Sequence, residues 1–298
     1  EVHTFSAAYN EREFDEILNV SNHVVFNSFS QWNRYRERAL AAQQRRPQLS
    51  FGLRINPLHS EGANPLYDPC APGSRLGIPL SAFNSADLSG IDGIHFHTLC
   101  EQSFSPLERT LNAIEDQFEN YLHAMKWVNF GGGHHITAAD YPVEKLIERI
   151  KLFQNKYQVQ VYLEPGEAIA IHTGVLVSEV LDLIQTDINL AILDTSATCH
   201  MPDTLEMPYQ AEIHHAGSAE DKQYRYRLGG QTCLAGDIMG DYSFDQPLQT
   251  GQRLMFDDMA HYTMVKTTTF NGIGLPAIAL WNSATNHIQI IREFDYSD

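Results

Sequence analysis

Residues 127–135, WVNFGGGHH, constrain the fold more than any other stretch of the 298-residue chain. Val128 and Phe130 alternate with Trp127 and Asn129 in a short, mostly apolar run, which predicts a buried strand. Gly131, Gly132 and Gly133 follow. Three residues without Cβ allow positive φ and a close backbone approach to a ligand. Thr137 is the candidate cap of a helix carrying Val143, Leu146, Ile147 and Ile150 at helical spacing. A strand, a glycine turn and a helix N-terminus can make an anion site, because free N–H groups and the helix dipole converge there. The same residues also suit a tight strand-to-helix turn with no ligand.

The neighbouring sequence sets the rhythm. Strands are expected at residues 1–6, 24–27, 49–56, 91–97, 127–130 and 159–164. Helices are expected at 11–18, 31–43, 106–125 and 143–155. Residues 57–77 read as a long Pro/Gly-rich loop ending in GSRLG, and loops of that length are usually functional or mobile. Strands alternating with helices mean a parallel sheet with helical crossovers. His97, Gly131–Gly133 and Glu164 all fall at C-terminal strand ends, where a (β/α)8 TIM-like barrel keeps its active site. A barrel needs eight strands, and six are legible here.

After Gly166 the rhythm changes. Strands at 174–186, 188–194, 225–229, 253–256, 277–282 and 287–292 follow with no convincing helix between most of them. The expected organisation is therefore a partial (β/α) barrel over residues 1–172 and a β-rich C-terminal domain over 173–298.

The charge balance bears on partners. Twenty basic and 37 acidic side chains leave a formal charge of −17. With no Lys/Arg cluster, that argues against nucleic acid and anionic membrane as partners, and it suits a cationic substrate. No stretch approaches the roughly 20 apolar residues of a spanning helix. Cys70, Cys100, Cys199 and Cys233 match no zinc spacing, and reduced cysteines in a cytoplasmic protein are the simplest reading.

Several groups invite chemistry. His95 and His97, two apart on one strand, share a face. They read as a metal pair, as partly buried polar residues, or as an imidazole packed on a flat cofactor. Glu164, in the run LEPGE, is either a loop acid or a carboxylate holding a proton on a ring nitrogen through a charge-assisted hydrogen bond. Residues 229–242 (GGQTCLAGDIMGDY) read as a flexible loop with a buried thiol, or as a substrate loop. Residues 256–262 (FDDMAHY) offer a turn and strand edge, or a phenol for a phosphate.

Taken in order, HFHTLC, NFGGGHH, LEPGE, GGQTCLAGD and FDDMAHYT resemble the pyridoxal-phosphate decarboxylases of the alanine-racemase fold, which include ornithine, arginine and diaminopimelate decarboxylases. DTSATCHMPDTLEMPY and the GSRLGI loop carry the likeness toward the polyamine branch, whose substrates are carboxynorspermidine and carboxyspermidine. The resemblance implies pyridoxal 5'-phosphate as cofactor and a role for each of several positions. His97 would pack against the pyridine ring. Gly131, Gly132 and Gly133 would hold the phosphate, helped by Gly166 and Tyr262. Glu164 would pair with the ring nitrogen, and Cys233 would sit near the reacting carbon. Asp237, Asp203 and Glu206 would serve the substrate. It further implies a head-to-tail homodimer in which Cys233 and Asp237 come from the second copy. No metal is implied.

Two departures from that family matter. Relatives commonly read EPGR, whereas here Glu167 follows Gly166; an acid near a phosphate is unfavourable unless it points away. The family also needs a lysine that anchors the cofactor covalently, in an A-x-K-type run on an early barrel strand. Lys126, Lys145, Lys151, Lys156, Lys222 and Lys266 do not fit. The missing lysine and two missing strands share one expectation: the first two strand–helix units lie upstream of this chain. Two other readings compete with catalysis by the full protein. One is a non-catalytic regulatory relative that has lost the lysine. The other is a metal-dependent hydrolase using His95, His97, His134 and His135.

Overall fold

The computed structural model describes residues 1–62, 64–83 and 87–297. Ala63, within the expected long loop, lies outside them. The chain divides into two compact units, Glu1–Ile169 and Ala170–Asp298.

The first unit holds six parallel strands in sequence order: β1 His3–Phe5, β2 His23–Phe26, β3 Ser50–Arg54, β4 Gly93–His95, β5 Trp127–Asn129 and β6 Gln160–Tyr162. Helices α1 Phe14–Val20, α2 Phe29–Arg45, α3 Phe104–Leu122 and α4 Val143–Tyr157 make four of the five connections; β3 and β4 are joined by a long segment with only short 3-10 turns among its described residues. A 17-residue helix between β2 and β3 is what a parallel connection requires, since a hairpin cannot join parallel strands. One face of the sheet is apolar. Val24, Phe26, Phe51, Leu53, Ile94, Phe96, Val128, Phe130 and Val161 pack with Phe14, Trp32, Tyr35, Leu107, Leu111, Phe118 and Phe153 in one buried cluster. Alternation along each strand sends the intervening residues to the opposite face.

That opposite face is unusual in being polar and aromatic. At the N-terminal end, His3 stacks on His23 at 4.1 Å, and His23 on Trp127 at 4.6 Å. One register row runs Gly52, Gly93, Trp127 across β3, β4 and β5. The Trp127 indole covers both glycines, and its Nε1 donates to Ser50 Oγ at 2.8 Å. The next row but one, toward the C-terminal ends, is Arg54, His95, Asn129 and Tyr162. Arg54, His95 and Asn129 are buried. The sheet therefore has an aromatic floor below and a layer of polar groups directly under the strand ends.

In the second unit, strands β7 Leu176–Gln185, β8 Asn189–Leu193, β9 Gly217–Ser218, β10 Tyr224–Gly229, β11 Ile238–Phe244 and β12 Arg253–Phe256 form a mixed sheet in the order β12-β7-β8-β10-β11-β9. β13 Ile278–Asn282 and β14 His287–Arg292 make a separate, exposed hairpin. Two expectations change. Part of the segment read as a loop, residues 229–242, is β11, paired antiparallel to β10 with a bulge at Gly229. The helix after the glycine turn begins at Val143 as expected, but behind Pro142, so Thr137 does not cap it and no helix N-terminus adjoins Gly131–Gly133.

Candidate active site

The loops after β4, β5 and β6 are laced together by their backbones. Phe96 N donates to Asn129 O at 3.0 Å, Phe130 N to Tyr162 O at 2.9 Å, and Glu164 N to Gly131 O at 2.8 Å. Glycine makes this possible. Gly131 has φ +70°, and a Cβ there would lie 2.3 Å from Phe96 O. Gly133 has φ +78°, and a Cβ would lie 2.1 Å from Leu99 O. Both positions combine a left-handed backbone with contact against a neighbouring main chain, which excludes any larger residue.

This lacing brings His97, Gly131, Gly132 and Glu164 into one cluster. His97 lies just beyond the end of β4 rather than within it. Its Nδ1 accepts the Gly132 N–H at 3.2 Å. Burial, reinforced by the Arg54 charge, pushes the His97 pKa down to about 4, so the ring is neutral near pH 7. Gly131 N donates to Asn129 Oδ1 at 2.8 Å. Two of the three glycine N–H groups are thus committed within the protein. Among the described residues, no protein acceptor engages the N–H of Gly133 or of Gly166. A Cβ at Gly166 would meet nothing within 4 Å.

Glu164 is gripped from below. Asn129 Nδ2 donates to Oε1 at 2.7 Å, and His95 Nε2 lies 3.2 Å from Oε2. Burial opposes the charge, but these partners outweigh it and hold the carboxyl below the usual carboxylate range. Just over a third of the Glu164 side chain stays exposed. Arg54, 5% exposed, donates to His97 O at 3.0 Å and lies over the Phe5 ring. Sequence reasoning passed over Asn129 and Arg54. A polar residue inside the apolar run WVNF was the signal for the first.

Glu167 is turned onto Thr137 Oγ1 at 3.0 Å and His135 Nε2 at 3.1 Å. The four histidines of the metal reading go separate ways: His95 to Glu164, His97 to Gly132, His134 Nε2 to Gly131 O, and His135 to Glu167. Among the described residues the one group with converging ligand atoms is Glu1, His3 and His23, at the opposite end of the sheet.

In the second unit Asp237 is buried and surrounded by donors. Ser196 Oγ contacts its two oxygens at 2.9 and 3.0 Å, Thr198 N lies at 3.2 Å, Thr232 N at 3.1 Å and Thr232 Oγ1 at 2.7 Å. A carboxylate has about four acceptor positions, so a substrate ammonium would have to displace one of these donors. Cys233 is exposed, and its N–H donates to Asn271 Oδ1 at 2.9 Å. Asp203 pairs with Lys266, and Glu206 lies 3.8 Å from the same Nζ. Tyr262, 66% exposed, opens the short turn Tyr262–Val265.

Among the described residues, no lysine of the first unit pairs with Glu164. Lys126 pairs with Asp92 beneath β5, and Lys145, Lys151 and Lys156 lie on α4. Lys222 and Lys266 belong to the second unit.

Residues 20–260 match the profile described as pyridoxal-dependent decarboxylase, C-terminal sheet domain. The chain is a member of the pyridoxal-dependent decarboxylase family. Within that family it is 47% identical to the carboxynorspermidine/carboxyspermidine decarboxylase of Campylobacter jejuni, over all of this chain and 79% of that one. It is 45% identical to the carboxyaminopropylagmatine decarboxylase of Synechocystis, over all of this chain and 76% of that one. The crystal structure of C. jejuni carboxynorspermidine decarboxylase complexed with norspermidine superposes with a TM-score of 0.88 at 46% identity, covering all of this chain and 79% of that one. A diaminopimelate decarboxylase at 17% identity and TM-score 0.76 shares the fold. No helix of the described residues is long and apolar enough to cross a membrane.

Proposed function

We propose that the full protein decarboxylates carboxynorspermidine or carboxyspermidine to norspermidine or spermidine, using pyridoxal 5'-phosphate. The observation that carries this reading is chain-long identity of 47% to a relative of that activity, together with a fitting cluster at the strand ends.

The residues fit the cofactor. Its ring nitrogen needs an anionic partner, and Glu164 offers an ionised carboxylate on a side chain that is partly exposed. Its flat ring needs a flat neutral neighbour, which His97 supplies. Its phosphate needs unengaged donors, and Gly133 and Gly166 N–H supply two, the second beside open space. Gly131 and Gly132 then act as the tight turn rather than as donors. Tyr262 adds a phenol in this reading. When bound, the cofactor supplies an electron sink for the carbanion left as CO2 departs. A protonated ring nitrogen makes that sink deeper, and Glu164 holds the proton there.

For the substrate we assign Cys233 to the neighbourhood of the reacting carbon. Asp203 and Glu206 would serve the amine tail, exchanging the Lys266 ammonium for one from the polyamine. Asp237, already saturated, fixes the segment that carries Cys233. Two copies pair head to tail in this reading, so that the Cys233 segment of one serves the Glu164 site of the other. The six parallel strands are the larger part of an eight-stranded barrel, with β1 and β6 as the edges that two further strands would join. In this reading one of those strands would carry the covalent lysine. A reducing, cytoplasmic setting suits four free cysteines.

A second substrate is favoured by a specific observation, the 45% identity to a carboxyaminopropylagmatine decarboxylase. Its guanidinium terminus differs from an amine. The test is kcat/KM for carboxynorspermidine, carboxyspermidine, carboxyaminopropylagmatine and diaminopimelate on the full protein. The proposal predicts at least a tenfold preference, about 1.4 kcal/mol, for one of the first two. A preference for the third would move the substrate to the agmatine series. Turnover of diaminopimelate alone would overturn the polyamine reading.

A further inference from the structure

Glu164 does not stand alone, and the way it is held has a chemical consequence. Its two oxygens are taken by two different residues of the layer beneath, Asn129 on Oε1 and His95 on Oε2. Asn129 is fully buried and also accepts the Gly131 N–H through its Oδ1. Its amide can satisfy both contacts in only one orientation, with nitrogen toward the carboxylate and oxygen toward the glycine turn. It thereby ties Glu164 to that turn.

His95 is 1% exposed. Its Nε2 faces the carboxylate, so it carries the hydrogen that donates. Its Nδ1 is buried with no hydrogen-bond partner. A proton on Nδ1 would be a buried donor without an acceptor, which costs more than an idle lone pair. His95 therefore enters as the neutral Nε2–H form. The other charged or titratable groups bearing on this pair are Arg54, His97 and His3. Arg54 is spoken for by His97 O and the Phe5 ring, which itself stacks on His95 at 5.5 Å.

We propose that His95 and Asn129 are positioning residues that fix Glu164 as an ionised acceptor in a single orientation, and so decide how firmly the bound cofactor's ring nitrogen keeps its proton. A neutral His95 donates a hydrogen bond without cancelling the carboxylate charge. A cationic one would neutralise it and weaken its hold on the ring proton. Asn129 does the same from the other oxygen, and an aspartate there would repel Glu164. This rests on the reading that Glu164 is the ring-nitrogen partner.

The test uses the full-length holoenzyme reconstituted with cofactor labelled with nitrogen-15 in the ring. Ring-nitrogen NMR and steady-state kinetics are read for the wild type, Glu164→Gln, His95→Ala, His95→Gln and Asn129→Ala. The proposal expects a protonated ring nitrogen in the wild type and loss of that signature in Glu164→Gln. His95→Ala and Asn129→Ala should shift the resonance toward the unprotonated value. Each should lower kcat by roughly tenfold, the worth of one charge-assisted hydrogen bond, with KM little changed. His95→Gln, whose amide nitrogen can take the place of Nε2, should restore most of both. If Glu164→Gln moves the resonance while His95→Ala and Asn129→Ala leave it and kcat at wild-type values, the positioning role is wrong and the Glu164 assignment stands. If Glu164→Gln leaves the ring nitrogen unchanged, the Glu164 assignment itself fails. A uniform loss of folded protein in both alanine variants, with His95→Gln folded but unrescued, would mark these residues as structural only and also overturn the proposal.

Discussion

The Trp127 indole fills the place where a side chain at Gly93 would stand: a Cβ on Gly93 would lie 2.0 Å from Trp127 Cε2. The ring also covers Gly52, so one large side chain and two glycines share a single row of the sheet. Gly93→Ala is expected to destabilise the protein by about 1–3 kcal/mol through overpacking. Trp127→Phe in the same chain should recover part of that loss. Urea denaturation of the single and double variants gives the coupling energy, and strict additivity would contradict the packing described.

Two glycines at the strand ends should respond differently. Gly131→Ala places a Cβ against Phe96 O in a left-handed backbone, and both stability and cofactor affinity should fall. Gly166→Ala meets open space, so stability should change by no more than about 0.5 kcal/mol. If the phosphate sits against Gly166, cofactor affinity should still weaken. Fluorescence titration with pyridoxal phosphate, set beside thermal melts, separates the two effects.

Asp237 gathers Ser196, Thr198 and Thr232 around one buried carboxylate. Asp237→Ala leaves those donors without an acceptor, and a loss of about 2–4 kcal/mol is expected. Thiol alkylation should then become faster at Cys233 as its segment loosens. An unchanged alkylation rate together with raised KM alone would instead make Asp237 a direct substrate ligand.

The buried histidines make the fold acid-labile. Burial pushes His23 and His97 down to about 4 from an ordinary value near 6.5. Between those values the unfolded chain binds more protons than the folded one, so stability falls as pH falls through that window. Each unit of depression is worth about 1.4 kcal/mol. Glu164, held below the carboxylate range, adds a loss of the same sign at still lower pH. The urea midpoint should therefore drop steadily from pH 7 to pH 4, and His23→Phe should flatten that slope. A flat profile would contradict burial of these rings.

The parallel first unit was legible because its strands alternate with amphipathic helices everywhere except between β3 and β4, and helix patterns such as Leu107, Leu111, Ile114 and Phe118 are long enough to read. The second unit was harder. β11 contains Gly240, Asp241 and Ser243 and follows a glycine-rich run, so its composition imitates a loop. Its strand character comes from pairing with β10, which no local pattern records. At the site, the order of motifs singled out His97, the glycines and Glu164. The grip of Asn129 and His95 on Glu164 depends on register between β4 and β5 and on the loop after β6, and becomes visible only once the strands are paired. The buried setting of Asp237 left no mark on the loop-like run around it, because its partners Ser196 and Thr198 are distant in sequence.

The most direct test of the central claim is borohydride reduction of the cofactor-loaded full-length protein, followed by peptide mapping of the fixed pyridoxyl group. A visible absorption band should vanish on reduction. The label should then sit on one lysine outside this 298-residue sequence, with Lys126, Lys145, Lys151, Lys156, Lys222 and Lys266 unmodified. Label on any of those six, or no reducible band at all, would contradict a cofactor site built around Glu164 and His97.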